Sequence, residues 1–232
     1  MDLLKEKFIE TFITDDRYKF FTTGLGNTLV ITIFAAVLGI LLGFLIAVIR
    51  TTHDTLPKKN IGIKILNAIA KVYLTVIRGT PTTVQLLIMY YIIMVGSTNK
   101  VLIAIVSFGI NSGAYVAEIV RSGIQSIDKG QFEAGRSLGF TYTQTMRYMI
   151  IPQAFKNVLP ALANEFITLL KETSISGYIA LNDLTRAGDI VRSLTYETFF
   201  PLLSVAAIYL ILVMILTSLV NKLERRLRQS DR

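Results

Sequence analysis

No cysteine occurs anywhere in the 232 residues, and the one histidine is His53. The first absence excludes a disulfide framework and thiolate chemistry. The second leaves no histidine-rich metal or catalytic site, since His53 stands alone in a polar stretch. Charge is scarce as well: 17% of residues are charged against 52% hydrophobic, the balance of an integral membrane protein rather than a soluble one. Acids are fewer than bases, 16 against 24, for a net charge of +8. That sign suits nucleic acid, but in a membrane protein it reflects Lys and Arg gathered in cytoplasmic loops, so no nucleic-acid partner is expected. The first twenty residues lack the short apolar core and small-residue cleavage site of a signal peptide, and the first span is expected to act as an uncleaved insertion signal.

Long uncharged runs dominate what remains, and the length suits one membrane bundle. Residues 1–19 carry nine charged side chains and are expected along the membrane surface. From Phe20 to Ile49 there is no ionisable group over thirty residues, more than the ~20 a transmembrane helix needs. Gly39 and Gly43 in it form a small-xxx-small pair suited to close helix approach, or are simply scattered in a lipid-facing helix. A polar loop, Arg50 to Lys64, precedes an amphipathic stretch, Ile65 to Ile77, expected at the interface. Pro81 breaks it, and Gly79 to Asn99 is expected as the second span. Val101 to Ala117 reads as the third span. Met149 to Leu170 is a weak fourth, holding Pro152, Lys156, Pro160 and Glu165, which are tolerated where they face protein or a water-filled path. Lys171 to Glu197 is expected to fold back at the outer surface, and Thr198 to Asn221, uncharged for 24 residues, is the fifth span. With five spans, the second, fourth and sixth flanking segments hold four, five and five Lys or Arg, fourteen against eight opposite. The richer side is expected to be cytoplasmic, with the N-terminus outside and the C-terminus inside.

Between the third and fourth spans lies Gln131 to Pro160, opened by Asp128-Lys129-Gly130, with small residues at Ala134, Gly135, Ser137 and Gly139. This pattern suggests a short cytoplasmic helix that another protein approaches closely. Gly130 to Ser137 also matches a phosphate-binding loop in outline, with Arg136 where the lysine belongs. A membrane helix, not a strand, precedes it, which argues against nucleotide binding.

Glu133-Ala134-Gly135, then Gly139, then Met149-Ile150-Ile151-Pro152 resembles the EAA signature of bacterial ABC importer permeases, with Gly135 in place of the third-position alanine. Arg78-Gly79-Thr80-Pro81 with Gln85, Asn111 through Arg121, and Asn164 through Lys171 are similar to the polar amino-acid branch, of histidine, glutamine and arginine type. Together these motifs cover roughly residues 22–228. The resemblance implies an all-α bundle of five transmembrane helices with a cytoplasmic coupling helix, in a multi-pass protein of the bacterial cytoplasmic membrane. Residues 1–19 would be a surface segment, 20–222 the importer transmembrane domain with its coupling loop at about 128–152, and 223–232 a basic cytoplasmic tail. Partners implied are ABC ATPase subunits, a second permease copy or paralogue forming a dimer, an extracytoplasmic amino-acid-binding protein and membrane lipid. The chain itself would be no enzyme and bind no cofactor, ATP and Mg residing on the partner ATPase. ATPase coupling would rest on Glu133, Ala134, Gly135, Gly139 and Pro152.

Spacing alone adds two polar faces. Asn111, Tyr115, Glu118 and Ser122 recur at i, i+4, i+7 and i+11 on the third helix. Ala161, Asn164, Glu165, Thr168 and Glu172 share a face of the fourth. Such faces line an interior seam or pathway, and an amino-acid zwitterion needs acceptors for its ammonium and donors for its carboxylate. Asn111, Tyr115, Asn164, Glu165 and Thr168 are therefore candidate pathway residues. Structural ion pairs, Glu118 with Arg121 and Glu165 with Lys156 or Lys171, are the alternative, and Arg78 is expected to neutralise a loop acid or helix C-terminus at the interface. A secondary transporter or channel for a small polar solute is the rival function. A transporter of that kind usually shows internal repeats or a longer chain, and a channel leaves the small-residue cytoplasmic helix unexplained. A membrane enzyme would need a metal or an acid/base pair, which Glu118 and Glu165 do not supply.

Overall fold

The computed structural model describes residues 2–55 and 60–229, and its described residues form helices and turns with no strand. A short helix α1 (Asp2–Phe12) precedes α2 (Tyr18–Thr55). Helices α3 (Ile61–Gly79) and α4 (Thr82–Ile88) follow, α4 running on through a π-turn at Met89–Ile93. Then come α5 (Lys100–Gln125), α6 (Lys129–Ser137) and α7 (Tyr142–Thr145). A second π-turn at Met146–Ile150 joins α7 without a break to α8 (Ile151–Glu172). A 3-10 segment (Thr173–Ile179), α9 (Leu184–Thr195) and α10 (Phe199–Gln229) complete the chain.

Three of these helices are long and apolar enough to cross a membrane: Thr14–Thr55, Lys100–Gln125 and Phe199–Leu227. Helices α2 and α5 lie side by side and parallel, because small residues remove the side chains that would hold them apart. A Cβ added at Gly39 would meet Ser112 Cβ at 3.0 Å, and one at Gly43 would meet Val116 Cβ at 2.5 Å. The partner helix answers in kind, with Gly109 against Leu38 and Gly113 against Leu42. The core beside this seam comprises Ile31, Ala35, Ile103, Phe108 and Leu169, with Leu86 from α4 and Met89 from the π-turn after it.

The second crossing departs from expectation. Arg50 Nη1 donates to Asn67 Oδ1 at 3.2 Å, tying the start of α3 to the end of α2. Tyr73 Oη donates to the Ile110 carbonyl at 2.6 Å, near the middle of α5. The Arg78–Pro81 break therefore sits beside the middle of α5, not at the interface, and Gly79 to Asn99 is not one span. Thr82–Ile93, twelve residues, would reach only ~18 Å at 1.5 Å per residue, so α3 and α4 share the crossing. Gln85 makes the break tolerable: its Nε2 donates to the Ile77 carbonyl at 2.7 Å, the Thr80 carbonyl at 3.1 Å and Thr80 Oγ1 at 2.8 Å. The Ile77 carbonyl is the one that loses its helical partner when Pro81 arrives without an N–H.

Other boundaries shift for local reasons. Helix α5 runs past Ala117 to Gln125, because Glu118 and Arg121 neutralise each other one turn apart, Arg121 Nη2 donating to Glu118 Oε1 at 2.6 Å. The segment after α8 packs into the bundle rather than lying only at its surface. Asp183 is fully buried, its side chain caps α9, and Leu184 N–H donates to Thr28 Oγ1 on α2 at 3.1 Å. On the outward side of α9, the hydrogen bond from Arg192 chiefly holds the Asp189 carboxyl below the usual range. Residues 1–19 are helical over α1, which docks through the Lys7–Glu197 ion pair at 2.6 Å and the Phe8–Phe200 ring contact. The expected tail 223–232 continues α10 to Gln229, and residues 230–232 lie outside the described residues, as do Pro57, Lys58 and Lys59 of the expected polar loop.

Candidate functional site

Two polar regions stand out: one at the end of the bundle that carries α6, the other at mid-depth between α3, α5 and α8. Helix α6 starts where Asp128 caps the Gly130 N–H at 2.7 Å. It ends in a Schellman turn: Phe140 N–H reaches the Gly135 carbonyl at 3.0 Å and Gly139 N–H the Arg136 carbonyl at 2.9 Å. That turn needs a left-handed residue, and Gly139 supplies it at φ 77. A capping box of Thr141 and Gln144 then opens α7. Glu133 and Ala134 are exposed on α6, as is Leu138 just beyond it. Gly135 is buried, because Thr145 packs on it; a Cβ there would lie 2.6 Å from Thr145 Oγ1. So Gly135 serves contact within the chain, and Gly139 serves the backbone turn, where spacing alone suggested room for another protein. Pro152 does not end a helix: it lies just after the π-turn at Met146–Ile150, and the helical run continues through it into α8. The Gly130–Ser137 stretch is helical from end to end, not the loop a phosphate site requires.

At mid-depth, a cavity of about 430 Å³ opens between the end of α3, one face of α5 and one face of α8. That volume falls within the ~300–1,000 Å³ of small-molecule sites. Helix α5 contributes Tyr115, Glu118 and Ser122, its C-cap Ser126 follows, α8 contributes Asn157, Ala161 and Glu165, and α3 contributes Arg78. Arg78 Nη1 lies 3.6 Å from Glu118 Oε2, and its guanidinium stands 5.9 Å over the Tyr115 ring. Its partner is thus an acid of α5, not a loop acid at the interface. Glu165 accepts from Ser112 Oγ at 2.8 Å. The cavity thereby presents a guanidinium on one wall and a carboxylate on the other. Such a lining can hold a carboxylate and an ammonium of one small molecule together.

Of the five pathway candidates, Tyr115 and Glu165 line this cavity. Asn111 does not: it is buried and donates to Gln85 Oε1 at 2.9 Å, locking α4 to α5. Asn164 and Thr168 are exposed on another side of α8 and turn back on their own helix, to the Pro160 and Asn164 carbonyls. Pro160, inside α8, has no N–H to give the previous turn. Arg78, Ser126 and Asn157 were not among the candidates. Ser126 continues the α5 stripe by one more turn, a signal present in the spacing; Arg78 is some forty residues from Glu118, and no local pattern joins them.

Residues 63–229 match the family described as binding-protein-dependent transport system inner membrane component. The chain is 38% identical to the arginine transport system permease protein of Bacillus subtilis over 91% of its own length and 94% of that protein's. It is 35% identical to the glutamine transport system permease protein of Escherichia coli, covering 85% of this chain and 90% of that one. Among solved structures, a chain of an amino acid ABC transporter with histidines superposes at a TM-score of 0.83 with 44% identity, over 93% of this chain and 98% of that chain. An inward-facing methionine ABC transporter superposes at 0.76 with 21% identity, over 90% and 97%, a likeness of fold.

Proposed function

We propose, from the premise that this multi-pass membrane chain belongs to the binding-protein-dependent transport inner-membrane family, that it is the permease subunit of an ATP-driven importer of polar amino acids. The mid-depth cavity carries the proposal. An α-amino acid brings one carboxylate and one ammonium, and the Arg78 guanidinium and the Glu165 carboxyl group face the same space. Arg78 and Glu118 already neutralise each other in part, so an arriving carboxylate exchanges one partner of Arg78 for another instead of meeting an uncompensated charge. The apolar wall at Ile119 and Ala161 and the hydroxyls of Ser122 and Ser126 suit the methylene stem and polar tip of a side chain such as glutamine or arginine.

The chain would not hydrolyse ATP and would bind no cofactor. ATP and Mg would be held by ATPase subunits that dock at the exposed Glu133, Ala134 and Leu138. Helix α6 would then be the cytoplasmic coupling helix, the N-terminus would lie outside and the C-terminus inside, and α2, α3 with α4, α5, α8 and α10 would be the five crossings. The polar outer side of α8, with Asn164 and Thr168, would face a second permease copy or the water between the two, and a binding protein would deliver substrate from outside.

The test is uptake by proteoliposomes holding the chain with its ATPase and binding protein, scanned with radiolabelled glutamine, arginine and histidine. ATP-dependent accumulation of at least one, lost in Arg78→Gln and Glu165→Gln variants that still fold, is expected. Accumulation that proceeds without ATP would move a secondary transporter to the front.

A further inference from the structure

A second cavity, of about 360 Å³, lies at the α6 end, enclosed by the last turns of α2 and α5 and by α6 and α7. It shares no lining residue with the mid-depth cavity. Asp54 from α2 faces it, with Arg121 from α5 and Lys129 from α6 supplying the opposite sign. Tyr142 adds a hydroxyl, and Phe132 an apolar wall. One acid and two bases around a space of this size match a free zwitterion better than an inorganic anion, which Asp54 would repel.

We propose that this cavity is a second amino-acid site, filled from the coupling end by transported product, and that its occupation slows import. This rests on the importer reading and extends it to regulation. The link to transport is a single ion pair. Arg121 lines the α6-end cavity, while Glu118, to which its Nη2 donates at 2.6 Å, lines the mid-depth one. A carboxylate drawn to Arg121 competes with Glu118 for the same guanidinium and frees Glu118 to hold Arg78 more firmly. The site also bridges the scaffold and the coupling segment: Tyr142 Oη on α7 donates to Thr55 Oγ1 on α2 at 3.1 Å beside it. A ligand touching α2, α5 and α6 together would resist any motion of α6 relative to the other two.

The experiment uses the complete transporter in proteoliposomes, with ATP and graded concentrations of glutamine, arginine or histidine enclosed on the ATPase side, and reads the initial rate of uptake. In the unaltered complex the enclosed transported amino acid is expected to lower that rate several-fold. Asp54→Asn and Lys129→Gln are each expected to raise the concentration needed for half-inhibition about tenfold, the loss expected when a charged partner of a bound ligand is removed, while uptake into amino-acid-free vesicles stays within about twofold. Equilibrium dialysis of the complex should find two bound amino acids per chain, and one in Asp54→Asn. Normal uptake without inhibition, inhibition unchanged in both variants, or equal inhibition by inorganic phosphate would each overturn the second site and leave the importer reading intact. Absence of ATP-driven uptake in the unaltered complex would overturn both.

Discussion

Gly39 and Gly43 on α2 press their backbone against α5, whereas Asn164 and Thr168 on α8 present an exposed polar surface whose hydrogen bonds return to their own helix. The first pair has given up side chains to make a seam that admits nothing. The second keeps polar groups that are stable in a membrane only against protein or water. The contrast separates a fixed part of the molecule, the α2–α5 pair, from a part built to meet different surroundings, the sides of α8. Between them lies the cavity, with Tyr115 and Glu118 on the fixed helix and Glu165 on the other.

The largest effect should come from forcing the seam open. Gly43→Leu adds a side chain where even a Cβ would sit 2.9 Å from the Ala117 backbone N. We expect a destabilisation at or above the ~1–3 kcal/mol of overpacking, read as lost folded yield and a lower melting temperature in detergent. Gly26→Ala, on the same helix but with nothing within 4 Å of an added Cβ, should melt close to the unaltered protein. If both melt alike, the seam is not the fixed element. Next, Glu165→Gln should reduce uptake by about tenfold or more, the loss expected when a charged partner of a bound ligand is removed, with melting unchanged. A matching loss of thermal stability would make Glu165 structural instead. Glu133→Ala should lower uptake several-fold while ATP hydrolysis by the assembled complex continues and membrane insertion is normal; uptake at the unaltered rate would remove Glu133 from the coupling contact. Asn164→Ala should change uptake by less than about twofold, since its side chain bonds only its own helix and exposed substitutions are usually near neutral.

Much of the helical framework was legible before any coordinates, because an uncharged run of thirty residues has few alternatives in a membrane. The second crossing was not. Hydropathy measures how apolar a stretch is, and α3 carries Lys64, Lys71 and Arg78, whose acceptability depends on neighbours far along the chain. Asn67 meets Arg50 and Arg78 meets Glu118, contacts no window reveals. The site divides in the same way. Tyr115 and Glu165 could be picked from helical spacing, since each lies on a polar stripe. Asn111 lies on that stripe too, yet Gln85 claims it, and only the fold brings Gln85 there. Periodicity thus marks which faces are polar but not which of their residues another helix already engages. In the coupling loop the small residues were visible, but their purposes differ: Gly135 yields to Thr145 and Gly139 turns the chain.

The unbroken run from Tyr142 to Glu172 can also be viewed as machinery. Thr145, seated on Gly135 of α6, is one end of a rod, and Glu165 is twenty residues further along it, ~30 Å at the helical rise. Over that reach a tilt of roughly 5° would carry Glu165 about 2–3 Å, by the same helical rise, comparable to the length of one hydrogen bond. The rod converts a small push at its foot into a stroke large enough to trade one partner of Glu165 for another. Its leverage is set by where along the helix the glutamate stands, so moving that carboxylate by one turn would change the gearing as well as the chemistry.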